Sequence, residues 1–247
     1  MLTFILSISF VIIFLTIITV VLLPSLWVRF ILKPLLPGII FCGHGRRREL
    51  ALTIDDGPSP ETGVQLRAGS MALLALLREL EVPVTLFVIS DHLIQGDSGY
   101  LQKALADGHN IGHHMNEDNI SACLAPDLFR LAFDEAAENL QFAAAPHRLN
   151  MRWFRPGGGW FRISMLRSIR ERGYYLVLGS VFPWDTFHPP LNWMSWFVLK
   201  NAHPGAILIL HDRPDTLNAT MSLLRLVVPA LRGSGYRFVT LEGLLNT

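Results

Sequence analysis

Hydrophobic and polar positions divide the chain into two parts. Residues 1–28 carry no charged side chain, and 21 of these 28 residues are hydrophobic. The apolar run over residues 2–23 would be about 33 Å long as a helix, which is enough to cross a bilayer. Beyond residue 49, short apolar runs alternate with longer amphipathic stretches. Such alternation is typical of β–α units around a parallel sheet that is buried on both faces.

This alternation predicts seven strands and six helices. The strands are expected at residues 50–54, 84–89, 110–112, 151–154, 175–179, 206–210 and 237–240. The helices are expected at residues 61–80, 98–107, 126–144, 164–172, 191–201 and 217–231. Periodicity predicts an α/β fold, but it leaves a closed barrel and an open sheet as alternatives.

The N-terminal run is interpreted as a single-pass transmembrane anchor, residues 1–28, followed by a basic linker, residues 29–48. A cleaved signal peptide would have basic residues at its start, a shorter apolar core and a small-residue cleavage site, and the run shows none of these. Trp27 is suited to the membrane interface. Arg29 and Lys33 follow the run, and the positive-inside rule therefore places the main domain in the cytoplasm.

Composition excludes two classes of protein. A chain with 51% hydrophobic and 17% charged residues is not intrinsically disordered. Its 21 Lys and Arg residues against 20 Asp and Glu residues leave a net charge of +1, so no nucleic-acid partner is expected. The two cysteines form one possible pair at most, which is no disulfide framework.

Chemically active side chains follow five of the predicted strands. Ligands of parallel α/β folds bind at the carboxyl ends of strands, so these side chains are expected to converge on one site. They are Asp55-Asp56, His113-His114, Arg155, Asp185 and His211-Asp212.

The adjacent carboxylates Asp55 and Asp56 suggest metal-assisted chemistry. Successive strand side chains point in opposite directions, so one carboxylate could bind a metal while the other faces a water on it. The alternative is an ordinary Asp-Gly-Pro turn. A histidine and a carboxylate four residues apart would reach one side of a helical turn, and with an Asp they make a plausible divalent-metal site. His114 with Asp118 and His113 with Glu117 share this spacing, which does not choose between them.

Five segments, in order, resemble the motifs of the polysaccharide deacetylases, which are carbohydrate esterase family 4 or NodB-homology domains. They are T-I-D-D-G-P, N-I-G-H-H-M-N-E-D, F-R-P-G-G-G-W, G-S-V-F-P-W-D and I-L-I-L-H-D. The resemblance runs from about residue 49 to residue 240. It implies a deacetylase domain over residues 49–247 with a deformed barrel of (β/α)7 type.

The resemblance also implies the ligands of a divalent metal, foremost Zn²⁺, with Co²⁺ or Mn²⁺ as alternatives. It selects His114 and Asp118 over the alternative pair and adds Asp56. An Asp stands at residue 118 where the family has a second histidine, which makes the site richer in oxygen and favours harder ions. Other departures from the family pattern are Met115, Gly157-Gly158 and Phe182.

Catalytic roles follow from the same resemblance. Asp55 would be the general base, and Arg155 would orient it. His211 would be the general acid, and Asp185 would raise its pKa. Substrate contacts are expected from Gly158, Trp160, Trp184 and Leu210.

The expected function is hydrolysis of N-acetyl groups on N-acetylglucosamine polymers or oligomers such as chitin. The alternatives are deacetylation of acetylxylan, peptidoglycan or a small amide, and carbohydrate binding without catalysis. Such a substrate places the catalytic domain outside the cell or in the secretory lumen. The basic residues after the anchor point to the opposite side of the membrane.

Overall fold

Within the described residues, eight parallel strands form one curled sheet. The computed structural model describes residues 2–59, 64–93 and 99–246. In sequence order the strands are β1 Ile39–Ile40, β2 Glu49–Gly57, β3 Val84–Val88, β4 Asn110–His113, β5 Trp153–Phe154, β6 Tyr175–Val177, β7 Ala206–His211 and β8 Arg237–Val239. Their spatial order is β1-β6-β5-β4-β3-β2-β7, and β8 pairs with β2. The sheet curls into a half-barrel, and an isolated bridge between Val181 and Leu208 joins the segment after β6 to β7.

Helices that follow the strands cover the outside of the sheet, and the last helix packs against its inner side. Within the described residues, and after the N-terminal helices described below, they are α4 Val64–Glu79, α5 Gly99–Ala106, α6 Pro126–Ala143, α7 Ile163–Glu171, α8 Leu191–Asn201, α9 Leu217–Gly233 and α10 Leu241–Leu245. The predicted strands and helices are all present with small shifts of their ends. The helix predicted from residue 61 begins at Val64 in the described residues, and residues 61–63 lie outside them.

One strand was missed by the sequence analysis. Ile39 and Ile40, which were assigned to the basic linker, form β1 and pair with β6. The segment interpreted as a basic linker, residues 29–48, therefore contributes a short strand to the sheet. A two-residue strand is too short to give a periodic signal.

Alternation along the strands separates two apolar layers. Leu52 and Leu208 face outward, into the core between the sheet and helices α4 and α9. Ala51 and Ile207 face the inside of the half-barrel, where Leu241 of α10 packs beside them. Because side chains alternate, Thr53 and Asp55 lie on the same inner face as Ala51. The inner face therefore carries a polar group at the carboxyl end of β2.

The N-terminal segment consists of α1 Leu2–Leu22, α2 Pro24–Trp27, a π-helical turn Val28–Leu32 and α3 Lys33–Leu35. Within the described residues, no single helix is long and apolar enough to cross a membrane. Residues 9–22 and 24–35 together have sufficient length and apolar character, with a bend of 96° between them. Asn201 of α8 donates to the Leu22 carbonyl and accepts a hydrogen bond from Ser25, which ties this segment to the rest of the chain.

Candidate active site

Strand β2 delivers two buried carboxylates in different directions. Asp55 lies on the inner face of the sheet, and Asp56 adopts a left-handed backbone conformation with φ 68°. The β2–β3 register shifts between Ile54 and Gly57, where this turn occurs. A non-glycine residue held in this region costs about 1–3 kcal/mol and persists only where the surrounding structure fixes it. The local backbone thus separates the two carboxylates, as the sequence predicted.

Arg155, directly after β5, holds Asp55 in place. Its Nη1 donates to Asp55 Oδ1 at 2.5 Å and to Thr53 Oγ1 at 2.7 Å. The other guanidinium nitrogens donate to the backbone carbonyls of residues 177 and 178, and the group lies 4.1 Å from the Phe87 ring centroid. Burial lowers the pKa of Arg155, while the charge of Asp55 raises it. The Asp55 carboxylate is therefore oriented and charge-balanced by a guanidinium that is itself fixed on all sides.

At the end of β7, His211 is paired with a buried carboxylate. Its Nδ1 lies 3.0 and 3.1 Å from the two Asp185 oxygens, and its backbone N–H donates to the same carboxylate at 2.9 Å. Burial opposes protonation, but the hydrogen bond and charge of Asp185 outweigh it and raise the pKa of His211 to about 9. His211 is consequently an imidazolium at neutral pH, with Nε2 available to a substrate.

His114, after β4, pairs with Asp56. Its Nδ1 donates to the Arg155 carbonyl at 2.7 Å, and its Nε2 lies 3.1 Å from Asp56 Oδ1. Burial acts to lower the pKa of His114, but the hydrogen bond and charge of Asp56 raise it. Burial acts to raise the pKa of Asp56, but His114 and other nearby cations hold it well below its usual range. The Nδ1 contact to a backbone carbonyl is the kind of bond that orients a metal-ligating histidine.

The neighbouring His113 has a structural role. Its ring stacks on Phe133 with centroids 4.0 Å apart, and its Nε2 contacts the Phe133 carbonyl at 2.9 Å. The Met115 backbone N–H donates to its Nδ1. Burial lowers the pKa of His113 to about 4, so the ring is neutral. Of the two histidine–carboxylate pairs with equal spacing, only the pair of His114 and Asp118 includes a histidine at the site. Glu117, the carboxylate of the other pair, accepts a hydrogen bond from Asn119.

Asp118 does not lie on a helical turn with His114, so that prediction was wrong. The chain turns at Met115, which has φ 70°, and continues as an irregular loop. The Asp118 side chain is 51% exposed, and its Oδ2 lies 3.1 Å from Nη1 of Arg213. The same nitrogen lies 3.4 Å from Asp56 Oδ2. A spacing of four residues is compatible with a helix, but it does not enforce one.

The donor types fit a divalent cation. Two carboxylates and an imidazole are ligands that Zn²⁺, Co²⁺ and Mn²⁺ accept. The separation of 3.1 Å between His114 Nε2 and Asp56 Oδ1 suits two ligands that share one ion at bond lengths of about 2.0–2.2 Å. Asp118, the third candidate ligand, contacts the Arg213 guanidinium, which separates it from Asp56. Among residues 2–59, 64–93 and 99–246, no three His, Cys, Asp or Glu side chains converge closely enough to form a ready metal site.

Sequence reasoning missed Arg213. It lies two residues beyond His211, at the carboxyl end of β7, so the strand-end rule that selected the other residues would have included it. Its side chain is 37% exposed and also lies 3.4 Å from Asp215. Three carboxylates therefore surround one guanidinium at the edge of the site.

Two of the predicted substrate contacts lie in one turn after Arg155. Gly158 has φ 61° within the turn Gly157–Gly159, and Trp160 follows with 65% of its surface exposed. A Cβ on Gly157 would lie 2.0 Å from the Asn119 carbonyl oxygen, so the turn and the loop that carries Asp118 approach at backbone distance.

Trp184 belongs to an aromatic group beside His211. Its ring lies 5.1 Å from Phe182 and 5.8 Å from Phe187, between ring centroids. Phe182 stands where the family has an Asp, and its ring meets His211 edge-on at 5.7 Å. The general-acid candidate is thus flanked by an aromatic ring on one side and by Asp185 on the other.

Leu210 was predicted to contact substrate, and this was wrong. Leu210 is completely buried in the core between the sheet and the helices. Its neighbour Ile209 is partly buried and lies on the same face of β7 as His211. Because adjacent strand residues point to opposite faces, a residue directly before His211 cannot line the same pocket.

The half-barrel carries a carboxylate–arginine pair and a histidine–carboxylate pair at the ends of adjacent parallel strands. These are the groups that a hydrolase needs for acid–base catalysis. The family model for polysaccharide deacetylase matches residues 43–177. The chain therefore belongs to the polysaccharide deacetylases, carbohydrate esterase family 4.

Relatives agree with this membership. The peptidoglycan-N-acetylglucosamine deacetylase of Bacillus cereus is 32% identical over 200 residues, which cover 80% of this chain and 88% of that protein. A chitooligosaccharide deacetylase of Rhizobium leguminosarum bv. trifolii is 29% identical over 201 residues, covering 76% and 88% respectively. The crystal structure of the Bc1960 peptidoglycan N-acetylglucosamine deacetylase is similar with a TM-score of 0.75 at 25% identity, over 85% of this chain and 94% of its own.

Proposed function

We propose that this chain is a metal-dependent deacetylase that hydrolyses N-acetyl groups of N-acetylglucosamine in a chitin-like polymer or oligomer. The observation that carries the proposal is the placement of Asp55 and His211 as register partners on neighbouring strands. A base and an acid on one face of a sheet can act on the two sides of a single scissile bond. The names of both relatives above specify acetylated amino-sugar substrates.

Asp55 acts as the general base. It takes a proton from the water whose oxygen attacks the acetyl carbonyl carbon. Arg155 holds the carboxylate at 2.5 Å, so its orientation is set before substrate arrives. Removal of a positioned general base typically lowers the rate by about 10²–10⁴-fold.

His211 acts as the general acid. Its Nε2 gives a proton to the amide nitrogen as the carbon–nitrogen bond breaks, which releases acetate and leaves a free amine on the sugar. Asp185 binds Nδ1 and favours the protonated ring that this step requires. A pKa of about 9 keeps the ring protonated at neutral pH.

Asp56, His114 and Asp118 would hold the divalent ion, with Zn²⁺ foremost and Co²⁺ or Mn²⁺ as alternatives. Such an ion, when bound, polarises the acetyl carbonyl and makes a bound water more acidic. The chain itself prepares His114 for this role, because the Arg155 carbonyl accepts from Nδ1 and leaves Nε2 directed at Asp56.

Substrate contacts come from the turn after Arg155 and from the aromatic group. We expect a backbone N–H near Gly158 to donate to the oxyanion that would develop on the acetyl group. Trp160, which is 65% exposed, and Trp184 offer aromatic surface against which sugar rings can pack.

The test is an acetate-release assay with the full-length chain in detergent. Chitooligosaccharides, peptidoglycan, acetylxylan and a small acetamide are compared after loading with Zn²⁺, Co²⁺ or Mn²⁺. The proposal expects release from chitooligosaccharides that is lost in Asp55→Asn. Release only from another substrate would keep the chemistry and correct the specificity, whereas no release from any substrate would overturn both.

A second candidate function is carbohydrate binding without catalysis. One observation favours it: the Asp118 side chain contacts Arg213 instead of converging with His114. Binding of chitooligosaccharides by a folded, metal-treated protein that releases no acetate would establish this function.

We further propose that the N-terminal segment is a single-pass anchor that keeps the catalytic domain outside the cell or in the secretory lumen. The support is the lack of charged side chains over residues 1–28 and the apolar pair of helices over residues 9–22 and 24–35. Protease treatment of sealed vesicles of known orientation tests this. A lumenal domain is protected in vesicles whose lumenal side faces inward, whereas a cytoplasmic domain is digested in them.

A further inference from the structure

The guanidinium of Arg213 occupies the space between two carboxylates of the proposed metal site. One nitrogen, Nη1, lies 3.1 Å from Asp118 Oδ2 and 3.4 Å from Asp56 Oδ2. These carboxylates belong to different parts of the fold, the end of β2 and the loop after β4. A single positive charge on a third segment therefore links them.

Attraction between opposite charges holds the Arg213 guanidinium beside the carboxylates. Partial burial acts to lower the pKa of Arg213, and the charges of Asp56, Asp118 and Asp215 together raise it. An arginine stays protonated in any protein environment, so the guanidinium is a permanent cation at this position. A divalent ion bound by both carboxylates would lie close to this nitrogen, and the two positive charges would repel each other.

Arg213 also has a place to which it can withdraw. Its Nε lies 3.4 Å from Asp215 Oδ1, and the Asp215 side chain is 50% exposed. Arg213 itself is 37% exposed, whereas the Asp56 side chain is only 8% exposed. Asp56 is thus the buried partner, whereas the side chains of Arg213 and Asp118 lie on the solvent side, where they have room to rearrange.

We propose that Arg213 is an internal counter-ion that competes with the catalytic metal for Asp56 and Asp118, so that metal binding requires the guanidinium to move toward Asp215. The proposal rests on the metal site of the proposed function. The metal concentration needed to fill the site then depends on this one arginine. It also means that the metal-free protein is stabilised by a cation of its own.

The test compares Co²⁺ binding by the full-length protein and by Arg213→Gln, with calorimetry and the visible spectrum of the bound ion as readouts. Arg213→Gln is expected to bind Co²⁺ about tenfold more tightly, because it loses a competing cation held by two partly exposed ion pairs. The matched control is Arg225→Gln, which removes an exposed arginine from its ion pair with Glu79 and should leave the Kd unchanged.

Thermal unfolding distinguishes competition from a purely structural role. Arg213→Gln should lower the unfolding midpoint of the metal-free protein but not that of the protein saturated with Co²⁺, since the arginine contacts the carboxylates only in the former. An equal loss in both forms would overturn the proposal, as would equal Kd values for the wild type and the variant. If both folded proteins fail to bind Co²⁺, the metal site of the proposed function is wrong and the inference falls with it.

Discussion

Asp55 and His211 are register partners on the neighbouring parallel strands β2 and β7. Parallel strands in a sheet lie about 4.8 Å apart, so the two side chains leave the same face of the sheet side by side. Each side chain forms an ion pair with a group of opposite charge. Arg155 pairs with the Asp55 carboxylate, and Asp185 pairs with the His211 imidazole. The base and the acid are thus fixed by separate ion pairs, and each can be perturbed without removing the other.

Replacement of Asp55 by Asn should abolish the base while preserving the metal ligands. We expect acetate release to fall by about 10²–10⁴-fold. Co²⁺ stoichiometry, measured by elemental analysis, should be unchanged because Asp56, His114 and Asp118 remain. Asp134→Asn, an exposed carboxylate paired with Arg172, is the control for this type of substitution and should retain full activity. Full activity in Asp55→Asn would remove the base assignment.

Replacement of Asp185 by Asn should shift the alkaline limb of the pH–rate profile. With Asp185 present, the His211 pKa is raised to about 9, and activity should persist until the pH rises through that value. Without the carboxylate, burial acts on the ring without its main opposing charge, so the limb should move to about pH 6.5 or below. Initial rates of acetate release between pH 5 and pH 10 measure this. An unmoved limb would show that His211 is not the acid.

The same substitution has a signature in stability. A raised pKa in the folded state means that the ion pair stabilises the protein fully below the ordinary pKa of histidine, about 6.5. This stabilisation is lost as the pH rises through about 9. Urea unfolding of the wild type should therefore show a loss of stability over this range. Asp185→Asn should lack that loss.

The candidate catalytic residues could be placed together from the sequence because their position at strand ends depends only on topology. Asp55, Arg155 and His211 each follow an apolar run, and parallel strands bring such positions to one edge whatever the details of packing. Arg213 follows the same strand as His211-Asp212 and satisfies the same rule, but it was not considered as a counter-ion for the carboxylates.

Two other errors came from local geometry. The spacing of His114 and Asp118 predicted a helical turn, but a left-handed Met115 diverts the chain into a loop. Leu210 was placed in the pocket, although strand alternation puts it opposite His211. The first could not be read from spacing, because the backbone conformation at Met115 depends on its burial and on its hydrogen bond to His113. The second followed directly from the period of a strand and could have been avoided.

Replacement of Arg155 by Met should destabilise the fold as well as the site. The Arg155–Asp55 pair is almost fully buried, with side chains 3% and 5% exposed. Removal of one partner leaves a buried carboxylate without its counter-charge, which typically costs about 3–5 kcal/mol. Arg225→Met, which breaks an exposed pair with Glu79, should cost at most about 1 kcal/mol. Urea unfolding measures both, and equal losses would mean that burial of the Arg155 pair carries no special cost.

Replacement of Gly157 by Ala should disturb the loop that carries Asp118 without touching any ligand. The new Cβ would lie 2.0 Å from the Asn119 carbonyl oxygen, and a backbone atom cannot move aside as a flexible side chain can. We expect a loss of about 1–3 kcal/mol in the free energy of unfolding, which is typical of overpacking. Co²⁺ binding should weaken as well, since Asn119 adjoins the third proposed ligand.

Gly233→Ala is the matched control, because nothing lies within 4 Å of its Cβ position at the end of α9. That variant should be neutral or slightly stabilising in chemical denaturation. If Gly157→Ala keeps both its stability and its Co²⁺ affinity, then the close approach of the two backbones does not position Asp118.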